Sequence, residues 1–152
     1  MPDSRIEADP ERQFFEGDFL ATIFNMLKNV LDNEYDTNLL LTSVLSRLCQ
    51  LPHPHLHEYL LNPTIPLQQG ARNLYGVVKE ALGLAVDRAE NMTNFQHKMK
   101  LCRRRLLGDA GGDGDDKVED VEETLLLEAI LVLEEFCKEL AAVSFVKYHC
   151  NS

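Results

Sequence analysis

The chain has 152 residues, enough for one domain with a usable core, and 45% of them are hydrophobic. Leu, Ala, Glu and Lys outweigh the β-branched residues and glycine, which favours helix over sheet. The formal net charge of -10 argues against bulk nucleic-acid binding. It is a property of one segment, because residues 109–123 hold eight acids and one lysine. No apolar run approaches the roughly 18 residues of a membrane span. Cys49, Cys102, Cys137 and Cys150 form no CxxC pair, and reduced thiols of a cytosolic protein are the plain reading.

Residues 1–13 are polar and acidic, carry no secretory-type apolar segment, and are expected to be disordered. A first helix is predicted over residues 14–31. Gly17 weakens its start, which makes Asp18 the N-cap candidate. This helix has two apolar stripes. One is Phe15, Phe19, Ile23, Met26 and Val30, and the other is Phe14, Leu20, Phe24, Leu27 and Leu31. A core needs only one of them, so the second is either a packing face for further helices or a partner surface, and a liability for self-association.

A second helix is predicted over residues 37–51, with Asp36 as cap candidate and Leu41, Val44, Leu45 and Leu48 facing inward. Pro52 stops it. A short helix is expected at 55–61, ahead of the break at 62–66. A fourth spans 69–91, with Leu74, Val78, Ala81 and Ala85 as its buried stripe and Tyr75, Leu82, Val86 and Ala89 beside it. A fifth spans 94–107. Thr93 and Gln96 have capping-box spacing, Phe95, Met99, Cys102 and Leu106 line its inner face, and Gly108 suits the left-handed position beyond a helix end. Residues 109–118 read as a mobile acidic linker. The sixth helix starts near 116–120, where acids complement the helix dipole.

That last helix holds most of the information. Over residues 125–149, Leu126, Ala129, Leu133, Phe136, Leu140 and Val143 form one apolar stripe, and Ile130, Cys137, Ala141 and Phe145 widen it. A helix this apolar requires cover on more than one side. The fold class expected is therefore all-α, with five or six helices in antiparallel pairs forming one α-solenoid-like domain over residues 14–149.

Candidates for chemistry are weak. His53, His55 and His57 with Cys49 offer zinc-type donors, but Pro52 and Pro54 fix the backbone there. A helix would also point His55 and His57 roughly 160–200° apart. Asp109, Asp113, Gly114 and Asp120 fall at calcium-loop positions, yet Gly111 stands where a ligand is needed. There is no GxSxG, phosphate loop or dinucleotide fingerprint, so no catalytic residue, cofactor or metal is assigned. Lys98, Lys100, Arg103, Arg104 and Arg105 form a basic face suited to an anionic lipid surface, an acidic partner or nucleic acid, with the acidic linker placed to screen it. The wet face of the fourth helix, with Arg72, Gly76, Lys79, Gly83 and Asp87, has glycines that let another backbone approach. The candidate partner surface is Phe15, Phe19 and Ile23, with Arg72, Gly76, Lys79 and Gly83, and Lys98, Arg103, Arg104 and Arg105.

The stretches LLTSVLSRLCQLPHPHLHEYLLNP at 40–63, GARNLYGVV at 70–78, CRRRLLG at 102–108 and LLEAILVLEEFCKELAAVSFVKYH at 126–149 resemble the FHIP family, the HOOK-interacting subunits of the FTS–Hook–FHIP complex. The resemblance runs from about residue 19 to 149 and looks like the carboxy-terminal domain of a longer family member, of the retinoic-acid-induced-16-like branch. It implies a non-catalytic adaptor module with a Hook-family coiled-coil protein, the FTS subunit and a vesicle-borne Rab GTPase as partners. It also implies a cytoplasmic location, peripheral on endosomal or ER–Golgi vesicles, and a link to dynein–dynactin. The alternative is a lipid- or nucleic-acid-binding module using residues 98–105.

Overall fold

The computed structural model describes residues 17–52, 60–61, 71–108 and 120–149. Several expectations lie outside them: the 1–13 segment, Phe14 and Phe15, the three histidines, most of the short helix at 55–61, the linker at 109–118 and Cys150.

Five helices are described and no strand occurs among the described residues. α1 spans Gly17–Lys28. It begins at Gly17, whose φ of +76° costs glycine little. Asp18 is therefore not the cap but sits inside the first turn, where its backbone carbonyl accepts from Thr22 Oγ. Beyond Lys28 the chain makes hydrogen-bonded turns instead of continuing as helix, yet Val30 and Leu31 stay buried. Of the two stripes, Leu20, Phe24, Leu27 and Leu31 enter the core, and Val30 joins them. Ile23 packs at the core edge, Met26 is exposed, and Phe19 is 61% exposed.

α2 spans Tyr35–Gln50, two residues earlier than expected, with Glu34 at the N-cap position and Asp36 inside the first turn. Its buried stripe is Asn38, Leu41, Thr42, Leu45, Ser46 and Cys49, and three of these are polar side chains. Each has a hydrogen-bond partner. Asn38 Nδ2 donates to the Val30 carbonyl at 2.7 Å and Asn38 Oδ1 accepts from Asn33 Nδ2, which closes the turn between α1 and α2. Thr42 Oγ1 donates to the Asn38 carbonyl, and Ser46 Oγ donates to Glu139. Val44 and Leu48 are half-buried.

α3 spans Leu74–Glu90. It starts five residues later than expected because Asn73 caps it, its side chain accepting from the Gly76 amide at 2.8 Å. Leu74, Val78, Ala81 and Ala85 are buried as predicted, with Val77 added, while Tyr75, Leu82 and Val86 face outward. α4 spans Phe95–Leu106. The expected capping box gives way to Asn94 at the N-cap position, in left-handed conformation at φ +56° and without a side-chain cap bond. Gly108, at φ +73°, takes the left-handed position past the helix end, as predicted.

α5 spans Val121–His149, a rod of about 43 Å. Asp120 Oδ1 caps it, accepting from the Glu122 amide at 2.8 Å. Leu126, Leu127, Ala129, Val132, Leu133 and Phe136 are buried, and Ile130, Cys137, Leu140 and Val143 pack at the core edge. The cover ends there: Ala141 is exposed and Phe145 is 62% exposed, stacked at 4.5 Å on His149.

α5 packs on α2, α3 and α4, and α1 packs on α3 and α2. Arg72, just ahead of α3, donates to the Ala21 carbonyl and to Asn25 Oδ1, while Arg88 near the far end of α3 pairs with Asp32 beyond α1. Ser46 meets Glu139, and Lys147 Nζ donates to the carbonyls of Gln50 and Leu51. Both sets of ties advance in the same direction along the two helices. α1 thus runs alongside α3, and α2 alongside α5, while α2 turns back on α1 through residues 29–34. This is an all-α, solenoid-like stack of layers. Its main core gathers side chains from α1, α2, α3 and α5, including Phe24, Leu45, Leu74, Leu133 and Phe136, each worth about 1.5–3 kcal/mol when fully buried. A smaller cluster of Met99, Cys102 and Leu127 seats α4 on α5.

Candidate docking groove

α2 and α4 both lie against α5 and leave a trough between them. Its apolar surface comes from Leu39 of α2, Leu106 and Leu107 at the end of α4, and Leu131, Val132 and Phe136 of α5. Tyr35, Ser43, Glu135, Glu139 and Arg103 stand around it. The trough holds about 370 Å³, within the roughly 300–1,000 Å³ span of ligand clefts. An apolar trough between helices can accept side chains spaced i, i+3 and i+4 on a partner helix.

The charged groups around it are already engaged. Glu139 Oε2 accepts from Ser46 Oγ at 3.0 Å. Glu135 accepts from Lys138 at 3.2 Å, and Arg103 donates to Glu134 at 2.6 Å. The Arg103 hydrogen bond is the main cause that lowers the Glu134 carboxyl below its ordinary range, and bonding to Glu135 is the main cause that raises Lys138. Every buried side-chain nitrogen and oxygen among the described residues has a hydrogen-bond partner. The polar chemistry here orients helices, and the groove's free surface is apolar.

The basic face is reorganised by tertiary pairing. Lys98 pairs with Glu123 at 2.7 Å, Arg103 with Glu134, and Arg105 with Glu128 at 3.3 Å. Lys100 and Arg104 are exposed and make no ion pair among the described residues. Of the sequence-predicted surface, only Arg103 lines the groove among the described residues. Ile23 belongs to the core edge. Arg72 is half-buried, tied to α1, and lies 5.8 Å over the Phe24 ring. Gly76 holds the Asn73 cap, and a Cβ there would stand 3.0 Å from Asn73 Oδ1. Lys79 and Gly83 are exposed on α3, with open space around Gly83. Sequence reasoning missed Tyr35, Leu39, Ser43 and Leu107. Leu39 beside Leu40 and Leu41 was the available signal, since one helix face cannot bury three consecutive leucines.

A family described as being of unknown function, DUF5917, matches residues 16–109, and a family described as the KELAA motif matches residues 121–152. The letters KELAA stand at residues 138–142. The KELAA glutamate is thus Glu139, bonded to Ser46 inside the DUF5917 match, so the two matches pack as one fold. Among curated proteins, an FHIP family protein of Nematostella vectensis is 36% identical over 91 residues, 60% of this chain and 10% of that protein. The Homo sapiens FHF complex subunit HOOK-interacting protein 1A is 36% identical over 64 residues, 42% of this chain and 6% of that protein. The Homo sapiens HOOK-interacting protein 1B is 34% identical over 84 residues, 55% of this chain and 8% of that protein. The matched part spans a tenth or less of the length of these relatives.

Proposed function

The chain belongs to the DUF5917 family, and on that premise we propose that it is a non-catalytic protein-interaction module serving an adaptor of the FHF type. Its partners are a Hook-family coiled-coil protein and the FTS subunit. Its place is in the cytoplasm at the surface of Rab-marked endosomal or ER–Golgi vesicles, which the Hook partner joins to dynein–dynactin. The observation that carries the reading is the apolar trough between α2 and α4, on a fold whose relatives are named as HOOK-interacting subunits. A partner helix lays apolar side chains on Leu39, Leu106, Leu107 and Leu131. No described helix is long and apolar enough to cross a membrane, which suits attachment through partners.

The test is a pull-down of this chain with the carboxy-terminal region of a Hook protein and with FTS, separately and together. Binding should persist at physiological salt, because apolar packing is little screened. Leu39→Asp, at an exposed position, should weaken it by about tenfold or more and leave the helical circular-dichroism spectrum unchanged. Binding to neither partner by the folded chain, or unchanged binding of Leu39→Asp, overturns the proposal.

A further inference from the structure

α4 has a second face that shares only Leu107 with the groove. His97, Lys100, Arg104 and Leu107 follow one another at spacings of three, four and three residues, which aligns them along one side of the helix. All four are exposed, and Leu107, at 82%, is the most exposed large hydrophobic among the described residues. The remaining cations, Lys98, Arg103 and Arg105, are neutralised by Glu123, Glu134 and Glu128 of α5. The α4 surface therefore presents two cations in line that have no acidic partner among the described residues, ending in an apolar side chain at the rim of the trough.

We infer that this face of α4 seats the domain on a bilayer containing anionic phospholipid, with Lys100 and Arg104 on headgroup phosphates and Leu107 at the acyl boundary. The division of charge selects a membrane over a nucleic acid. A nucleic acid needs a long basic track, and this chain carries a net charge of -10. A membrane surface needs only a local patch, because acids beyond about a Debye length (~8–10 Å) are screened. A basic helix with an apolar contact at its edge is suited to an interface of charged headgroup over hydrocarbon. The α5 carboxylates act as a built-in restraint. They hold three cations that headgroups would otherwise take, so attachment is weak and reversible. This rests on the charge geometry of α4 and not on the groove, and the two are separable at Lys100 and Arg104 on one side and Leu39 on the other, since only Leu107 is shared.

The experiment is co-sedimentation of the whole chain with phosphatidylcholine vesicles, with and without phosphatidylserine, at low and physiological salt. The chain should bind only the phosphatidylserine vesicles, more strongly at low salt. Lys100→Ala with Arg104→Ala should reduce that binding by on the order of thirtyfold, the loss of two interfacial cations. Glu128→Gln and Glu134→Gln should each raise it, by up to about fivefold for each cation set free. Leu107→Ser should weaken vesicle binding without affecting retention on heparin, whereas Leu39→Asp should leave vesicle binding unchanged. Lys100, Arg104, Leu107 and Leu39 are exposed and Glu128 and Glu134 half-buried, and thermal melting of each variant verifies that it folds. Equal binding to both vesicle types, no loss in the double-alanine variant, or equal loss of vesicle and heparin binding in Leu107→Ser overturns the inference.

Discussion

Ser46 and Glu139 stand 93 positions apart in the chain and share one hydrogen bond of 3.0 Å, from the Ser46 hydroxyl to a Glu139 carboxylate oxygen. The serine is buried and the glutamate exposed, so the bond draws α2 and α5 together at the edge of the trough. The pair is asymmetric under mutation. Ser46→Ala leaves a carboxylate that water can solvate, and should cost about 0.5–1.5 kcal/mol in urea denaturation. Glu139→Ala leaves a buried hydroxyl that can turn to its own helix's carbonyl one turn back, as Thr42 already does, and should cost no more.

Asn38 is 1% exposed and serves both the Val30 carbonyl and the Asn33 amide. Asn38→Leu supplies apolar volume but strands the buried Val30 carbonyl at a cost of about 1–3 kcal/mol, whereas Asn33 Nδ2 keeps its bond to the Met26 carbonyl. Chemical denaturation should register a loss of that order. A neutral or stabilising result would mean that the turn is solvated.

The two α3 glycines should separate. Gly83→Ala meets open space and should gain about 0.8–1 kcal/mol from helix propensity. Gly76→Ala places its methyl 3.0 Å from Asn73 Oδ1, the atom that caps the helix, so that gain should shrink or reverse. Melting temperatures of the two single variants decide this.

Burial pushes the Cys49 thiol up to about 12, opposed only by nearby Lys147. A folded pKa above the unfolded 9.0 means a contribution to stability that is complete below 9.0 and is lost as pH climbs through about 12. Stability should therefore fall on the alkaline side of 9.0, and Cys49→Ala should flatten that slope whatever its effect at neutral pH. At neutral pH a thiol reagent should modify half-buried Cys137 before Cys49 or Cys102.

Glu134 behaves oppositely. Its carboxyl is held below the ordinary 4.5, first by the Arg103 hydrogen bond, so it stabilises the fold above 4.5 and loses that contribution as pH falls. Glu134→Gln should lower stability at neutral pH and shallow the acid limb of the stability curve.

The periodic apolar positions were legible in the sequence. Leu74, Val78, Ala81 and Ala85 are buried as their spacing required, as are Leu126, Ala129, Leu133 and Phe136. Gly108 announced a helix end because few other residues take a positive φ cheaply. What was not legible depends on partners distant in sequence. Ser46 is not among the positions expected to face inward, and its partner Glu139 lies 93 positions away. Lys98, Arg103 and Arg105 read as a free basic face, because nothing local says that three glutamates 23 to 31 positions away will meet them. The Thr93 box lost to a backbone that enters α4 through a left-handed Asn94. The trough needs three helices to exist, so no single stripe could reveal it.

Lys147 places its ammonium against the carbonyls of Gln50 and Leu51, the electronegative end of another helix. Residues near 147 thereby serve as an external cap for a segment almost a hundred positions earlier. Clipping the polypeptide a few residues before that lysine should leave most of α5 seated. The damage would surface elsewhere, as faster amide exchange in the final turn of α2.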